Sequence, residues 1–294
     1  MYKLLPMRFI KYLLPFALAL TSTLALSQPS DIGLLWKAES PTGKTSYLFA
    51  TMHSDDARIT NFSAEVINAI SESDSFMVEV LPSTDNSSYF LKEPKLSSLL
   101  TESEFDKIVE LADFHSMPTD VALNMKPWLL AIVFDLPKPN TIFSQDNQLL
   151  GLAQRFSKPV TGLESTVKHF ETLDSFTIDE QLVMLRAVLK RSQEEKERDF
   201  EMLINAYLSG DILNIAQLDE KITSLMLPTA LWEKMRIKFL DERNTGMALS
   251  FIEKANKGNI FVAVGASHLA GNNGLISRLR ESGFKLTPVN ALLK

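Results

Sequence analysis

The 294-residue sequence contains no cysteine. This absence excludes disulfide bonds, thiol nucleophiles and zinc sites with thiolate ligands. Histidine is also scarce, since the whole chain has 4 histidines.

Positive charge and long apolar runs are scarce as well. The formal net charge is −6, and it becomes −9 when the first 27 residues and their three basic side chains are left out. This acidic balance argues against nucleic acid as a partner. After the N-terminal segment, no stretch approaches the ~18 apolar residues of a membrane-spanning helix. With 45% hydrophobic residues, the chain can nonetheless bury a substantial core.

The first 27 residues have the layout of a secretory signal peptide. Basic residues at Lys3, Arg8 and Lys11 precede an apolar stretch at 12–20, and small residues follow near "ALS". An uncleaved anchor is the alternative, but the apolar stretch is short for a membrane span. We expect cleavage near Ser27, a single mature domain over residues 28–294, and a periplasmic or secreted protein without membrane contact after cleavage.

Strand patterns are concentrated at the two ends of the mature chain. "GLLWKAES" and "SYLFATMH" flank the turn "PTGKT" and predict a hairpin, after which "SAEVINAISES" predicts a helix and "SFMVEVLP" a strand. Near the other end, "GNIFVAVGASH", "NGLISRLRESG" and "FKLTPVN" predict strand, helix and strand. These patterns predict an α/β fold with a central mixed sheet built from both terminal segments.

The middle of the chain, from about residue 97 to 256, is mainly helical by its periodicity. "TESE" at 101–104 and "TIDE" at 177–180 are capping boxes that predict helix starts. One helical segment is expected from Ile178 to Leu208, with the charged run "RSQEEKERD" on a solvated face. "SKPVTGLES" predicts a short strand within this region. The middle therefore reads as a large helical insertion.

Two histidines directly follow predicted strands: His53 ends "YLFATMH", and His268 ends "FVAVGASH". Ligands of open α/β sheets bind at the carboxyl ends of the strands. Ala50 and Gly265, each three residues before a histidine, allow a tight turn. A single histidine after a strand is more often structural, but the repeated pattern leaves a shared site and a structural role as two open alternatives.

Two glutamates extend the candidate site. Glu79 lies inside the apolar stretch "FMVEVLP", where a charge is costly unless it is paired or bound to a metal. Glu164 follows the predicted strand "KPVTGL". Together with His53 and His268, these carboxylates suit divalent Zn, Mn, Co or Fe. Such a metal supports hydrolysis, and without it glutamate and histidine form an acid/base pair.

Six stretches of the sequence resemble the TraB/PrgY/GumN family, which includes the Tiki membrane metalloproteases. They are "LWKAESPTGKTSYLFATMHSDDARI", "FMVEV", "KPW" at 126–128, "KPVTGLES", "ERN" at 242–244 and "FVAVGASHLAGNNGLISRLRESGFKL". The family signature is two Gly-x-x-His motifs with glutamates. "GASH" at 265–268 matches it in full, whereas "ATMH" at 50–53 has alanine in place of glycine. The likeness covers nearly all of the mature region.

The resemblance implies a fold shared with erythromycin esterases and ChaN-like haem-binding proteins. It also implies a metal-dependent peptidase site with His53, His268 and Glu79 as metal ligands and with Glu164 as a fourth ligand or general base. Arg58 and Arg243 match family positions and would orient a substrate carboxylate or pair with Glu79; a structural ion pair is an equal alternative.

Four further side chains have both a structural and a functional interpretation. Trp128 is expected in the core or in a pocket wall. His115 and His169 fall in helical segments outside the motifs and are expected to pack in the core or at the surface. Asp146 aligns with an acidic family position, but it would serve equally as the N-cap of the following helix.

Three functions fit these observations. The first is a periplasmic metal-dependent hydrolase, a peptidase, acting on a peptide or small-molecule substrate. The second is a haem- or peptide-binding protein without catalysis, and the third is an accessory factor for envelope or polysaccharide assembly. The sequence does not indicate the oligomeric state. It also does not separate catalysis from binding, because both functions would use the same side chains.

Overall fold

A six-stranded sheet runs through the part of the chain that the computed structural model describes, residues 32–83 and 85–289. Its strands are β1 (Leu35–Glu39), β2 (Thr45–Thr51), β3 (Ser75–Val78), β4 (Val160–Gly162), β5 (Ile260–Gly265) and β6 (Lys285–Val289). The strand order is β4-β3-β5-β2-β1-β6. The predicted α/β fold with a sheet built from both terminal segments is therefore confirmed.

The antiparallel half of the sheet joins the two ends of the chain. β1 pairs with β2 through the turn at "PTGKT", and Leu35 lies opposite Phe49 in this hairpin. On its other side β1 pairs antiparallel with β6, where Leu35 lies opposite Val289. The predicted hairpin is confirmed, and Gly43 at its turn has a φ of +80°, which glycine adopts without strain.

The other half of the sheet is parallel. β5 pairs in parallel with β2 on one side and with β3 on the other, and β4 pairs in parallel with β3. Because parallel strands point the same way, β2, β3, β4 and β5 all end at one edge of the sheet. The residues that follow these four strands are thereby brought to a common region.

Helices cover the sheet and fill the middle of the chain. They are α1 (Ala64–Glu72), α2 (Glu102–Phe114), α3 (Thr119–Asn124), α4 (Pro127–Asp135), α5 (Gln145–Arg155), α6 (Thr166–Leu173), α7 (Ile178–Leu189), α8 (Gln193–Leu208), α9 (Ile212–Met226), α10 (Thr229–Arg236), α11 (Arg243–Ala255), α12 (Ala266–Leu269) and α13 (Leu275–Glu281). Two 3₁₀ turns lie at Asn86–Tyr89 and Leu96–Leu99, and a π-helix at Ile237–Glu242 links α10 to α11. The helical insertion between β3 and β5 is confirmed, with β4 as its contribution to the sheet.

Two separate clusters of buried side chains hold these elements together. The sheet core contains fully buried aromatic residues from neighbouring strands, among them Phe49, Phe76 and Phe261. The rings of Phe76 and Phe261 stack with their centroids 5.5 Å apart. The helical core packs α2, α4 and α7 around buried residues such as Phe134 and Leu185. The insertion thus buries apolar surface of its own.

Both predicted capping boxes are present. The side chains of Thr101 and Thr177 each accept a hydrogen bond from the backbone N–H of the glutamate three residues later, and that glutamate accepts one in return. A third box, at Ser192 and Glu195, starts α8. It explains why the single helix predicted from Ile178 to Leu208 is instead two helices, with a break after Leu189.

The charged run at 191–199 is less solvated than predicted. Lys196 is only 2% exposed, and its Nζ donates a 2.8 Å hydrogen bond to the backbone oxygen of Phe134. Arg191 is paired with Asp135 and Asp199. These contacts pack the start of α8 against α4, so the run includes a buried helix contact as well as a solvated face.

The described residues contain no helix that is both long enough and apolar enough to cross a membrane. The predicted signal peptide, its cleavage near Ser27 and the start of the mature domain at residue 28 lie outside the described residues. Those three statements stay predictions from the sequence.

Candidate functional site

The carboxyl edge of the parallel strands collects four of the side chains singled out in the sequence. His53 follows β2, Glu79 follows β3, Glu164 follows β4 and His268 follows β5. One prediction is corrected here, because Glu79 does not lie within its strand. β3 ends at Val78, and Glu79 is the next residue. Its carboxylate can therefore turn to the sheet edge instead of lying on a sheet face.

Arg243 forms the centre of this cluster. Its Nη2 donates to Glu79 Oε2 at 2.6 Å and lies 2.7 Å from Glu164 Oε1. Its Nε also donates to Glu164 Oε1, at 2.9 Å. Arg243 is the first residue of α11, directly after the π-helix, and only 9% of it is exposed. Of its two predicted roles, the ion pair with Glu79 is the one that the structure contains.

His268 is buried behind Arg243. Its Nδ1 lies 2.7 Å from Asn244 Oδ1, and its Nε2 lies 3.2 Å from Arg243 Nη1. The Asn244 amide donates through Nδ2 to the backbone oxygen of Asn273, so its oxygen faces the imidazole. An amide oxygen accepts and a guanidinium donates, which places the imidazole hydrogen on Nδ1 and leaves Nε2 as an acceptor. Burial lowers the pKa of His268 to about 4, so the ring is neutral at pH 7.

Glu79 is held as a carboxylate. Its Oε1 accepts a 2.8 Å hydrogen bond from the backbone N–H of Gly265, and its Oε2 lies 3.5 Å from His268 Nε2. Burial favours the neutral acid, but the charges of Arg243 and His53 and the hydrogen bond from Gly265 oppose burial and lower the pKa of Glu79. A Cβ at position 265 would lie 3.1 Å from Glu79 Oε1. The glycine of "GASH" therefore allows the close approach of this carboxylate.

The alanine of "ATMH" does not need to be glycine, because Ala50 lies inside β2 in extended backbone. The segment after it is fixed by a buried polar network. Tyr207 Oη donates to the backbone oxygen of Ala50 at 2.7 Å, and Gln145 Oε1 accepts from the backbone N–H of Met52 at 2.9 Å. The Gln145 amide also donates to Ile59, and Gln145 is fully buried. Gln145 was not predicted from the sequence as a site residue, although it is the neighbour of Asp146.

His53 is the solvent-facing member of the site. Its side chain is 68% exposed, so water reaches the imidazole ring. Its Nδ1 lies 2.8 Å from Asp146 Oδ2. This hydrogen bond, together with the carboxylate charge, raises the pKa of His53 to about 9. Ser144 is the N-cap of α5, so Asp146 is the partner of His53 and not a cap.

Glu164 is the most enclosed carboxylate of the site, with its side chain 3% exposed. Its Oε1 accepts from Arg243 and from His169 Nδ1, the latter at 2.8 Å. Although burial favours the neutral acid, His169 and Arg243 lower the pKa of Glu164. Its Oε2 is buried and has no hydrogen-bond partner among the described residues. His169, which was expected only to pack in the core or at the surface, therefore also contacts the site directly through Glu164.

Two other candidates lie outside the cluster. Arg58 forms its side-chain hydrogen bonds with Asp56 and Glu201. Of its predicted roles, the structure therefore contains the structural ion pair and not the pairing with Glu79. Trp128 is 4% exposed and belongs to the helical core, as expected. His115, the other predicted packing histidine, stacks on Phe134 with ring centroids 5.7 Å apart.

The donor types partly suit the predicted divalent metal. Both His53 and His268 are anchored through Nδ1 and present Nε2, as metal-binding histidines do. However, Arg243 bonds both His268 Nε2 and Glu79 Oε2, and so occupies the position that a metal shared by these two residues would need. Within the described ranges, no three His, Asp or Glu side chains form a group that could hold a metal ion. The divalent metal stays a prediction from the sequence.

Comparison with known proteins gives one match. The model of the TraB/PrgY/gumN family matches residues 34–288, which span both histidine motifs, both glutamates and Arg243. No curated protein and no solved structure matches the chain. The matched residues, 34–288, cover nearly all of the mature region expected from the sequence. The chain belongs to the TraB/PrgY/gumN family.

Proposed function

We propose that the chain is an exported hydrolase of peptide bonds whose reaction centre is the sheet edge around His53, Glu79 and His268. The observation that carries this proposal is the buried charge there. Glu79 and Glu164 are nearly enclosed carboxylates that share a single guanidinium, that of Arg243. Apolar side chains of similar volume would stabilise the fold as well or better. Buried ionised groups with shifted pKa values are concentrated at reaction centres.

The contacts of each group suggest its role in amide hydrolysis. Glu79 accepts a proton from water as the water oxygen bonds to the carbonyl carbon of the substrate. Protonated His53 donates its Nε2 proton to the leaving nitrogen as the C–N bond breaks. The proton on Glu79 then returns His53 to its charged form through solvent. Arg243 keeps Glu79 ionised, and Asp146 keeps His53 protonated at neutral pH.

Whether a divalent metal binds at this reaction centre is a second part of the proposal, and it can be tested separately from cleavage. If Zn, Mn, Co or Fe binds here, its ligands are His53, His268 and Glu79, with Glu164 as the fourth ligand or the base. Binding then requires the Arg243 guanidinium to leave Glu79 and His268. Metal analysis of the purified protein, before and after dialysis against a chelator, measures this directly.

A peptide-library cleavage assay tests the proposal. Glu79→Gln keeps the shape of the side chain and removes its basicity, and His53→Gln removes the proton donor; we expect each to lower kcat/KM by at least ~100-fold. Glu171→Gln, at an exposed glutamate of α6, is the matched control and should retain wild-type activity. Cleavage that persists in both site variants within twofold contradicts the assignment of roles. Cleavage that is lost with chelator and restored by one divalent ion favours the metal-dependent form.

One observation favours binding without catalysis as the second candidate. The exposed His53 ring is anchored through Nδ1 by a carboxylate and presents Nε2 to solvent. An imidazole held in this way is suited to ligate haem iron. A titration with haem, followed by its absorption spectrum, tests this function. A spectral change that His53→Ala abolishes, in a protein that cleaves no peptide of the library, supports binding over hydrolysis.

A further inference from the structure

A groove lies among helices of the insertion, and its lining includes none of His53, Glu79, Glu164, Arg243 and His268. It has a volume of about 760 Å³ and is lined by α7, α8 and α9. This volume lies within the ~300–1,000 Å³ range of small-molecule sites. The lining includes two large apolar side chains that are solvent-exposed, Leu225 at 79% and Met202 at 40%. The groove therefore combines space for a ligand with exposed apolar surface.

The charged residues of this groove are mainly basic, although the chain as a whole carries a net charge of −6. Its basic lining residues are Arg186, Lys190, Arg191, Arg198 and Lys221, and its acidic ones are Glu195 and Asp199. A local excess of positive charge on an acidic protein indicates an anionic ligand.

Two of the basic residues have no carboxylate partner among the residues that the structure describes. Arg186 is paired with Glu104, whereas Arg191 and Arg198 both contact Asp199. Lys190 and Lys221 are exposed and form no salt bridge with any part of the chain that the structure describes. These two ammonium groups are the ones available to an anionic ligand.

An apolar pocket of about 240 Å³ adjoins the groove. Ala187 and Met226 line both spaces, which makes the two spaces neighbours. Apart from Asp135, which is paired with Arg191, and Thr223, the pocket walls are apolar and include Trp128, Leu136, Met184, Met235 and Phe239. Methionine side chains are flexible and polarisable, so they adapt to ligands of varied shape.

We propose that the groove and pocket bind a single-chain fatty acid. The carboxylate lies against Lys190 and Lys221, and the alkyl chain enters the apolar pocket past Ala187 and Met226. An acidic peptide also fits the charge of the groove. However, a peptide would bring backbone N–H and C=O groups into a pocket that offers few hydrogen-bond partners, and that burial is costly. An alkyl chain carries no such groups.

Calorimetric titration of the whole protein with octanoate, decanoate and dodecanoate, below their micelle concentrations, tests the apolar part. We expect affinity to rise about fourfold per added methylene until the pocket is full, which is ~0.8 kcal/mol per buried CH₂ expressed as a ratio. Ala187→Phe narrows the passage between groove and pocket and should remove this chain-length dependence, with the fold checked by circular dichroism. Equal affinity for the three acids in the wild-type protein overturns the proposal.

Exposed lysine variants test the charged part. Lys190→Gln with Lys221→Gln should weaken dodecanoate binding at least tenfold. The matched control is Lys44→Gln with Lys254→Gln, at exposed lysines outside the groove lining, and it should bind as the wild type does. Unchanged dodecanoate affinity in the groove variant refutes the assigned head-group position, as does equal binding of the uncharged methyl ester to the wild type.

Tryptophan fluorescence locates the alkyl chain. Of the 3 tryptophans in the chain, Trp128 lines the apolar pocket, while Trp36 is buried in the sheet core and Trp232 lines another cavity. An undecanoate with bromine at its terminal carbon should quench Trp128. Trp128→Phe should remove the quenched component and leave dodecanoate binding within about threefold. Quenching that persists in this variant places the ligand elsewhere and refutes the proposal.

Discussion

Replacement of Asp146 by asparagine should lower the pKa of His53. The Asp146 Oδ2 atom lies 2.8 Å from His53 Nδ1, and this contact is the main reason why the pKa is raised from 6.5 to about 9. Asparagine keeps the size of the side chain but removes its charge. We therefore expect the pKa of His53 in Asp146→Asn to fall by about 2 units, toward the ordinary histidine value.

The sign of the effect on stability follows from the same shift. A histidine whose pKa is higher in the folded state stabilises that state fully below the unfolded value of 6.5, and the stabilisation is lost as the pH rises through about 9. Because the His53 side chain is 68% exposed, solvent screens the pair, and we expect it to contribute no more than about 1 kcal/mol. Asp146→Asn should therefore lower the free energy of unfolding slightly at pH 6 and not at pH 10.

Nuclear magnetic resonance measures this pKa directly, since a protein with 4 histidines gives few imidazole signals. Assignment by His53→Gln and titration of wild type and Asp146→Asn give the two values. Asp106→Asn, at an exposed aspartate of α2, is the control and should leave the pKa of His53 unchanged. A wild-type value near 6.5, or a value above about 8 in Asp146→Asn, refutes the role given to Asp146. Addition of ZnCl₂ extends the test, because a metal shared by His53 and His268 must shift both signals together.

Three further substitutions test the packing of the site by urea unfolding. Arg243→Met should destabilise the fold by about 3–5 kcal/mol, because it leaves the buried Glu79 and Glu164 without a cation; a loss below 1 kcal/mol contradicts the central role of Arg243. Gln145→Leu should cost about 2–3 kcal/mol by removing partners from buried polar groups, and an unchanged midpoint would show that this network is not needed. Gly265→Ala should cost about 1–3 kcal/mol, because its Cβ would lie 3.1 Å from a Glu79 oxygen that is fixed by other contacts; a neutral effect would mean that Glu79 moves freely.

Several features of the fold were predictable because local patterns determine them. Strand and helix periodicity gave the hairpin at β1 and β2, the late strand β5 and the helical insertion. The two threonine capping boxes were predicted by residue type and spacing alone. The break between α7 and α8 was missed although a third capping box, "SQEE" at 192–195, was present in the sequence. The prediction of one continuous helix relied on the apolar periodicity and did not take into account this start signal for a second helix.

The partners within the site were less predictable. The sequence assigned His53, Glu79, Glu164 and His268 to one sheet edge, and the four residues do follow four neighbouring parallel strands. It did not assign His169 to Glu164, although the two are only five residues apart. It did not assign Asp146 to His53, because position in a helix carries no information on which distant loop that helix face meets. Arg58 is the opposite case. It was expected at the site because it matches a family position, but its side chain pairs with Glu201 outside the cluster.

By itself the sequence determined the family, the order of strands and helices and the set of residues available for chemistry, since these depend on residue type and on spacing along the chain. Only the tertiary structure decided that Arg243 would take Glu79, Glu164 and His268 as its partners. The physical reason is distance. These residues are up to 189 positions apart in the chain, and hydrogen bonds and ion pairs act over a few ångströms, so the order of strands in the sheet settles which of them meet.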